Sequence, residues 1–135
     1  MALFEWNQAY SVNIAEFDKH HQILFNLANT LHDAMKNRES EKVIGDILLE
    51  LNNYVKYHFK EEEKVMIAKG FPGYKQHLQA HNSLTEKVNK LAEFYQKEGI
   101  IPSFDTLEML KSWISTHIMV EDKKYAHFFR TNGLL

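Results

Sequence analysis

Histidine falls on the apolar stripe of every helical stretch in this chain, and no other feature constrains the fold as much. Four segments repeat apolar residues every three to four positions, the period of an α-helix with one buried face. The first runs from about Asp18 to Lys36, with Leu24, Leu27, Ala28, Leu31 and Met35 on its stripe. The second, from about Glu41 to Ala68, carries Ile44, Ile47, Leu48, Leu51, Val55 and Val65. The third, from about Tyr74 to Lys97, carries Leu84, Val88 and Leu91, and the fourth, from about Phe104 to Phe129, carries Leu107, Leu110, Ile114 and Ile118. Extending each stripe by a turn meets His21 in the first, His58 and then Glu62 in the second, His81 and His77 in the third, and His117 in the fourth.

The breaks between segments are short. "KGFPG" (Lys69 to Gly73) ends the second and "EGIIPS" (Glu98 to Ser103) ends the third, so successive helices should lie antiparallel. The expected fold is all-α: an up-down-up-down antiparallel four-helix bundle, with helices at about 18–36, 41–68, 74–97 and 104–129, preceded by an N-terminal arm over 1–17. Asp18 and Ser40 are the expected N-caps of the first two helices. A chain of 135 residues suits one domain spanning 1–135.

Composition removes several function classes. Lys and Arg number 16 against 18 Asp and Glu, for a formal net charge of −2, with no basic run. That gives no electrostatic case for nucleic acid or an anionic membrane surface. Cysteine is absent, which rules out disulfides, thiolate ligands and thiol catalysis. No apolar run is long enough to cross a bilayer. The opening "MALFEWNQAY" lacks the pattern of a secretory signal, so a cytoplasmic location is expected.

The buried polar residues then need a reason. Ionised carboxylates rarely enter a core unless paired or metal-bound. Five imidazoles meeting there without a cation would leave several polar groups unsatisfied, each at a cost of about 1–3 kcal/mol. Residues four apart stack on one helix face, about 6 Å apart along the axis. His58 with Glu62 and His77 with His81 are two such pairs. A lone core histidine is more often just hydrogen-bonded than a ligand, and His20, His32 and His127 are read as surface or structural residues. Glu61 and Glu63 flank the stripe and read as a solvated face. Imidazole and carboxylate without thiolate suit iron, manganese, zinc or copper. Six or seven ligands are too many for one zinc ion, which takes four. Two metal ions are therefore the simpler reading. The Glu-x-x-His pattern of carboxylate-bridged bundles does not occur here.

Taken together, "HHQILF" with His21, "HFKEEE" with His58 and Glu62, "HLQAH" with His77 and His81, and "HIMVED" with His117 and Asp122 resemble the hemerythrin family, in particular its single-domain bacteriohemerythrins. The opening "FEWNQAYSVNIAEFDKHH" is similar to the family's arm. The resemblance covers nearly the whole chain, and the combined spacing is specific where any one motif is weak. It points to Asp122, five residues after His117, as the last carboxylate. Spacing alone would select Glu121, since an ideal helix turns Asp122 well away from His117 and only a local distortion such as a π-bulge would bring it back.

The resemblance implies two iron ions, Fe2+ or Fe3+, bridged by Glu62, Asp122 and an oxo or hydroxo group. His77, His81 and His117 would hold one iron, and His21 and His58 the other. Of twelve octahedral positions this set leaves one open, on the iron with two histidines. Dioxygen is the implied ligand there, in a pocket at Leu24, Phe59, Trp113, Ile114, Ile118 and Met119, each of which would also serve as ordinary core. None of these six is a nucleophile or general base. The expected function is reversible dioxygen binding for carriage, storage or delivery, not enzymatic turnover. The alternatives are an oxygen or redox sensing module, and a di-iron enzyme acting on peroxide or nitric oxide. Dioxygen is the expected partner, with neither nucleic acid nor membrane; the sequence does not fix the oligomeric state, and a monomer is favoured.

Overall fold

The computed structural model describes residues 3–99 and 101–133, and every regular element among them is helical. Ala15–Lys36 forms α1, Ile44–Ala68 forms α2 and Tyr74–Glu98 forms α3. The fourth rod is continuous but changes its winding: α4 (Ser103–Ser112), a π segment (Trp113–Asp122), then α5 (Lys123–Thr131). Helix α2 packs on α3, α1 packs on α2 and on the fourth rod, and α3 packs on α4. Each helix thus lies beside its chain neighbour and the first closes against the last, the expected up-down-up-down bundle. No described helix is long and apolar enough to cross a membrane.

The ends follow local chemistry. After α2 the chain turns at Gly70 (φ 66°), and after α3 at Gly99 (φ 64°). Both are left-handed positions that glycine enters without a Cβ penalty. Two expected caps are corrected. Asp18 lies inside the first turn of α1, its own N–H bonded to the Ile14 carbonyl. Its carboxylate instead accepts from the Ser11 hydroxyl (2.6 Å) and the Val12 N–H (2.9 Å), which straps the arm to α1. Ser40 opens a short 3-10 turn, Ser40–Lys42, and α2 starts only at Ile44.

The arm is anchored along its length. Phe4 and Asn29 exchange two hydrogen bonds of 2.8 Å. Trp6 and Tyr10 set their rings 5.3 and 4.7 Å from that of Phe25. Val12 is buried, and Lys123 donates to the Ser11 carbonyl.

The apolar interior is divided in two. The larger cluster joins Leu24, Leu51, Phe59, Leu84, Leu110, Trp113 and Ile118 with their neighbours. The smaller holds Val12, Phe17, Met66, Tyr125, Ala126 and Phe129. On each rod the buried polar residues fall between or beside members of these clusters: His21 between Phe17 and Leu24, Glu62 between Phe59 and Met66, Asp122 between Ile118 and Tyr125. The polar layer is thus closed off by apolar packing above and below.

Candidate metal centre

Glu62 lies at the centre of that layer. Its Oε1 is 2.9 Å from His77 Nε2 and 3.0 Å from His81 Nε2. Its Oε2 is 3.0 Å from His58 Nε2, 3.6 Å from His21 Nε2, and accepts from the Tyr125 hydroxyl at 3.0 Å. Asp122 faces it from the fourth rod. Oδ1 is 3.0 Å from His77 Nε2 and 3.1 Å from His117 Nε2, and Oδ2 is 3.1 Å from His21 Nε2. The structure therefore brings together all seven residues proposed as metal donors from the sequence, every histidine through Nε2. None is more than 5% exposed.

Helical winding explains how Asp122 arrives. On α2, four residues of regular helix separate His58 from Glu62 and place both on one face. On the fourth rod five residues separate His117 from Asp122, which an α-helix would turn apart. The π segment bonds i to i+5 and restores the shared face. Glu121, the residue that α spacing favours, points outward and pairs with Lys124 at 3.2 Å.

These donors sort into two overlapping groups able to hold a cation: Glu62, His77, His81, His117 and Asp122, and His21, His58 and Glu62. Their electrostatics in the metal-free protein are those of charges forced together. Burial opposes protonation of His21, but Asp122 and Glu62 outweigh it and push its pKa up to about 9. His77 goes up to about 10 for the same reasons, and His81 rises less, through Glu62 and then Glu63. On His58 burial wins and its pKa falls. Burial disfavours the charge on both carboxylates, yet the histidines hold both below their ordinary range. For Glu62 these are His58, His21 and His77; for Asp122 they are His117 and His21, acting also against the field of Glu62. Each carboxylate therefore stays ionised at neutral pH.

Protons do not satisfy this cluster. Both ring nitrogens of His21, His117 Nε2 and both oxygens of Asp122 are buried without a hydrogen bond. The nitrogens of His21 and His117 stand 3.1 Å from those oxygens, close enough for attraction but not aligned as hydrogen bonds. Buried polar atoms in this state are costly. A cation between them would give each lone pair a partner, so the residues fit a metal ion, and an all-nitrogen-and-oxygen donor set suits iron.

Around the donors stands a second ring that periodicity does not pick out. His81 Nδ1–H donates to Glu63 at 2.7 Å, and Glu63 is only 20% exposed. Glu63 is thus bonded to the centre instead of belonging to a solvated face. His20 Nδ1 meets His58 Nδ1 at 2.7 Å, so it too serves the site. Each is the chain neighbour of a donor, turned onto the helix flank. The Tyr125 hydroxyl is held protonated by burial and by Glu62 and Asp122; it lies three residues after Asp122, a spacing that could have revealed it. Of the pocket residues expected from the sequence, Leu24, Phe59, Trp113, Ile114 and Ile118 are buried in the larger cluster. Met119 is only half-buried and is not part of that cluster. The Phe59 ring stacks on His81 at 3.8 Å, 2° from parallel.

A four-helix bundle with a buried layer of five histidines and two carboxylates defines a cation-binding protein. The description of the family model that matches residues 12–129 agrees, a hemerythrin HHE cation binding domain. The chain belongs to the hemerythrin family. It is 33% identical over 127 residues to a bacteriohemerythrin of Methylococcus capsulatus, covering 93% of this chain and 95% of that one. It is 30% identical over 129 residues to one of Clostridium acetobutylicum, covering 91% and 98%. A crystal structure of a hemerythrin mutant superposes with a TM-score of 0.82 at 30% identity, covering 94% of this chain and 97% of that chain.

Proposed function

We propose that this protein binds dioxygen reversibly at a di-iron centre, for carriage, storage or delivery. One observation carries the reading: seven buried donors converge through Nε2 and carboxylate oxygens in two overlapping groups, with five of the buried polar atoms of His21, His117 and Asp122 left unbonded. His77, His81 and His117 would hold one iron and His21 and His58 the other, with Glu62 and Asp122 shared between them. Held by these residues, a pair of iron ions would supply the redox chemistry of reversible dioxygen binding.

The chain's own residues would keep that exchange reversible. The unequal histidine count leaves the His21–His58 side with fewer protein donors, which supports ligand entry on that side. Leu24, Phe59, Trp113, Ile114 and Ile118 form an apolar wall that excludes water and limits proton supply. Tyr125 donates to Glu62 and holds its carboxylate in place. None of these wall residues is a nucleophile or general base, which supports a binding protein over an enzyme.

The test is optical. Protein loaded anaerobically with ferrous salt and opened to air should develop oxo-to-iron(III) absorption that fades under vacuum and returns with air. A protein that stays colourless and holds only zinc would overturn the reading. Steady turnover of peroxide or nitric oxide well above autoxidation would replace carriage with catalysis.

A further inference from the structure

The two sides of the centre are supported differently from outside. On the three-histidine side, His81 presents Nε2 to Glu62 Oε1 at 3.0 Å while its Nδ1–H donates to the Glu63 carboxylate at 2.7 Å. On the two-histidine side, His58 presents Nε2 to Glu62 Oε2 at 3.0 Å while its Nδ1 meets His20 Nδ1 at 2.7 Å. An imidazole that ligates through Nε2 must carry its proton on Nδ1, so His20 accepts through an unprotonated nitrogen. One ligand histidine is therefore held by an anion and its counterpart by a neutral ring. Glu63 has no other hydrogen-bond or ion-pair partner among the described residues.

From this contrast we infer that Glu63 is a positioning residue, fixing the His81 tautomer and making the three-histidine subsite the more electron-rich of the two. The inference rests on the di-iron reading and deepens it. A carboxylate drawing on the Nδ1 proton shifts electron density toward Nε2 and strengthens that nitrogen as a donor. A stronger donor favours the higher oxidation state of the metal it binds. His20, without a negative charge on its acceptor, does this far less for His58. The wiring thus assigns the lower reduction potential to the iron away from the open side, so that the iron with two histidines is the readier to be reduced and meet a ligand.

The experiment separates charge from tautomer. Glu63→Gln keeps an acceptor oxygen but removes the charge; Glu63→Asp keeps the charge; His20→Gln changes the other side. Iron-loaded proteins are compared by reduction potential and by competition for ferrous iron with a chelator. Glu63→Gln should raise the potential and weaken iron retention about 10- to 100-fold. Glu63→Asp should recover most of both, and His20→Gln should move the potential much less than Glu63→Gln. The metal-free melting temperature reports any purely structural damage, which would not shift the potential of the folded fraction. Wild-type iron binding with an unchanged potential in Glu63→Gln, or an equal shift in His20→Gln, would overturn this inference alone. Wild-type protein that takes up no iron would overturn the di-iron reading and the inference with it.

Discussion

Helix α2 and the fourth rod each deliver one histidine and one carboxylate to the same centre, by different means. On α2 the pair is His58 and Glu62, four apart on regular helix; on the fourth rod it is His117 and Asp122, five apart across the π segment Trp113–Asp122. The outcomes match: Nε2 to carboxylate oxygen is 3.0 Å in the first pair and 3.1 Å in the second. One extra residue has been absorbed by looser winding, and the apolar faces before and after it stay in register. Ile118 and Tyr125 are both fully buried, on either side of Asp122. A π segment therefore acts here as a tolerated insertion, placed where it turns Asp122 into the buried polar layer.

The largest test of that difference is a pair of deletions at exposed positions. Removing Lys60 from α2 shortens the His58–Glu62 spacing and turns everything beyond it by about 100°. Glu62 and Met66 leave the core, and the variant should not fold cooperatively. Removing Val120, 49% exposed, should instead let the π segment rewind as α-helix with Asp122 now four from His117. That variant should keep a cooperative melt and a bundle-like far-UV circular dichroism spectrum, with weaker metal retention because aspartate is shorter than the glutamate of α2. Equal damage from both deletions would refute the insertion view.

Next in size come the carboxylates themselves. Glu62 faces four histidines and Tyr125; Asp122 faces three histidines. Glu62→Ala should cost about 3–5 kcal/mol, the usual penalty for stripping one partner from buried charges, and should abolish metal uptake on both sides. Asp122→Ala should cost less and leave residual binding at the His58–Glu62 side. Urea unfolding of metal-free protein and metal analysis of loaded protein measure the two effects. A larger loss for Asp122→Ala would invert the ranking of the rods.

These residues also mark what was legible from the sequence. The bundle, its turns and the five histidines follow from apolar periodicity alone, because a stripe that buries leucine must bury whatever else lies on it. Asp122 did not follow from periodicity, since winding is set by tertiary packing and α-helix is the default reading of any stripe; only family resemblance singled it out. The bond of Glu63 to His81 and the contact of His20 with His58 escape periodicity for the opposite reason. Their backbone sits on the flank, and a long or planar side chain can reach back from there to the outer nitrogen of a buried ring, which no count of positions registers.

A smaller, titratable effect separates the metal-free from the loaded protein. His21 and His77, with pKa values raised from 6.5 to about 9 and about 10, bind protons more tightly folded than unfolded. Their contribution is complete below about pH 6.5 and is lost as pH rises through 9 to 10. The lowered carboxylates contribute above their unfolded values and lose that as pH falls below about 4.5. His58, lowered, partly offsets the other two as pH falls through 6.5. Melting temperature in chelator should therefore decline from about pH 6.5 toward 10, and fall again below about 4.5. With metal bound the imidazoles are already unprotonated at Nε2, so the alkaline decline should vanish. A metal-free melting curve that stays flat to pH 10 would contradict this account of His21 and His77.

The smallest expected effect is the sharpest on spacing. Glu121 occupies the i+4 position from His117, where α2 places Glu62, yet its side chain is 28% exposed and, among the described residues, pairs only with Lys124. Exposed pairs of this kind contribute little. Glu121→Ala should change stability by less than about 0.5 kcal/mol and leave metal content and affinity unaltered. The same substitution in the Val120-deleted protein is equally silent if the rewound helix carries Asp122 into the centre. If it lost metal only there, deletion would have brought Glu121 inward in place of Asp122, and the π segment would be choosing between two neighbouring carboxylates as well as absorbing a residue.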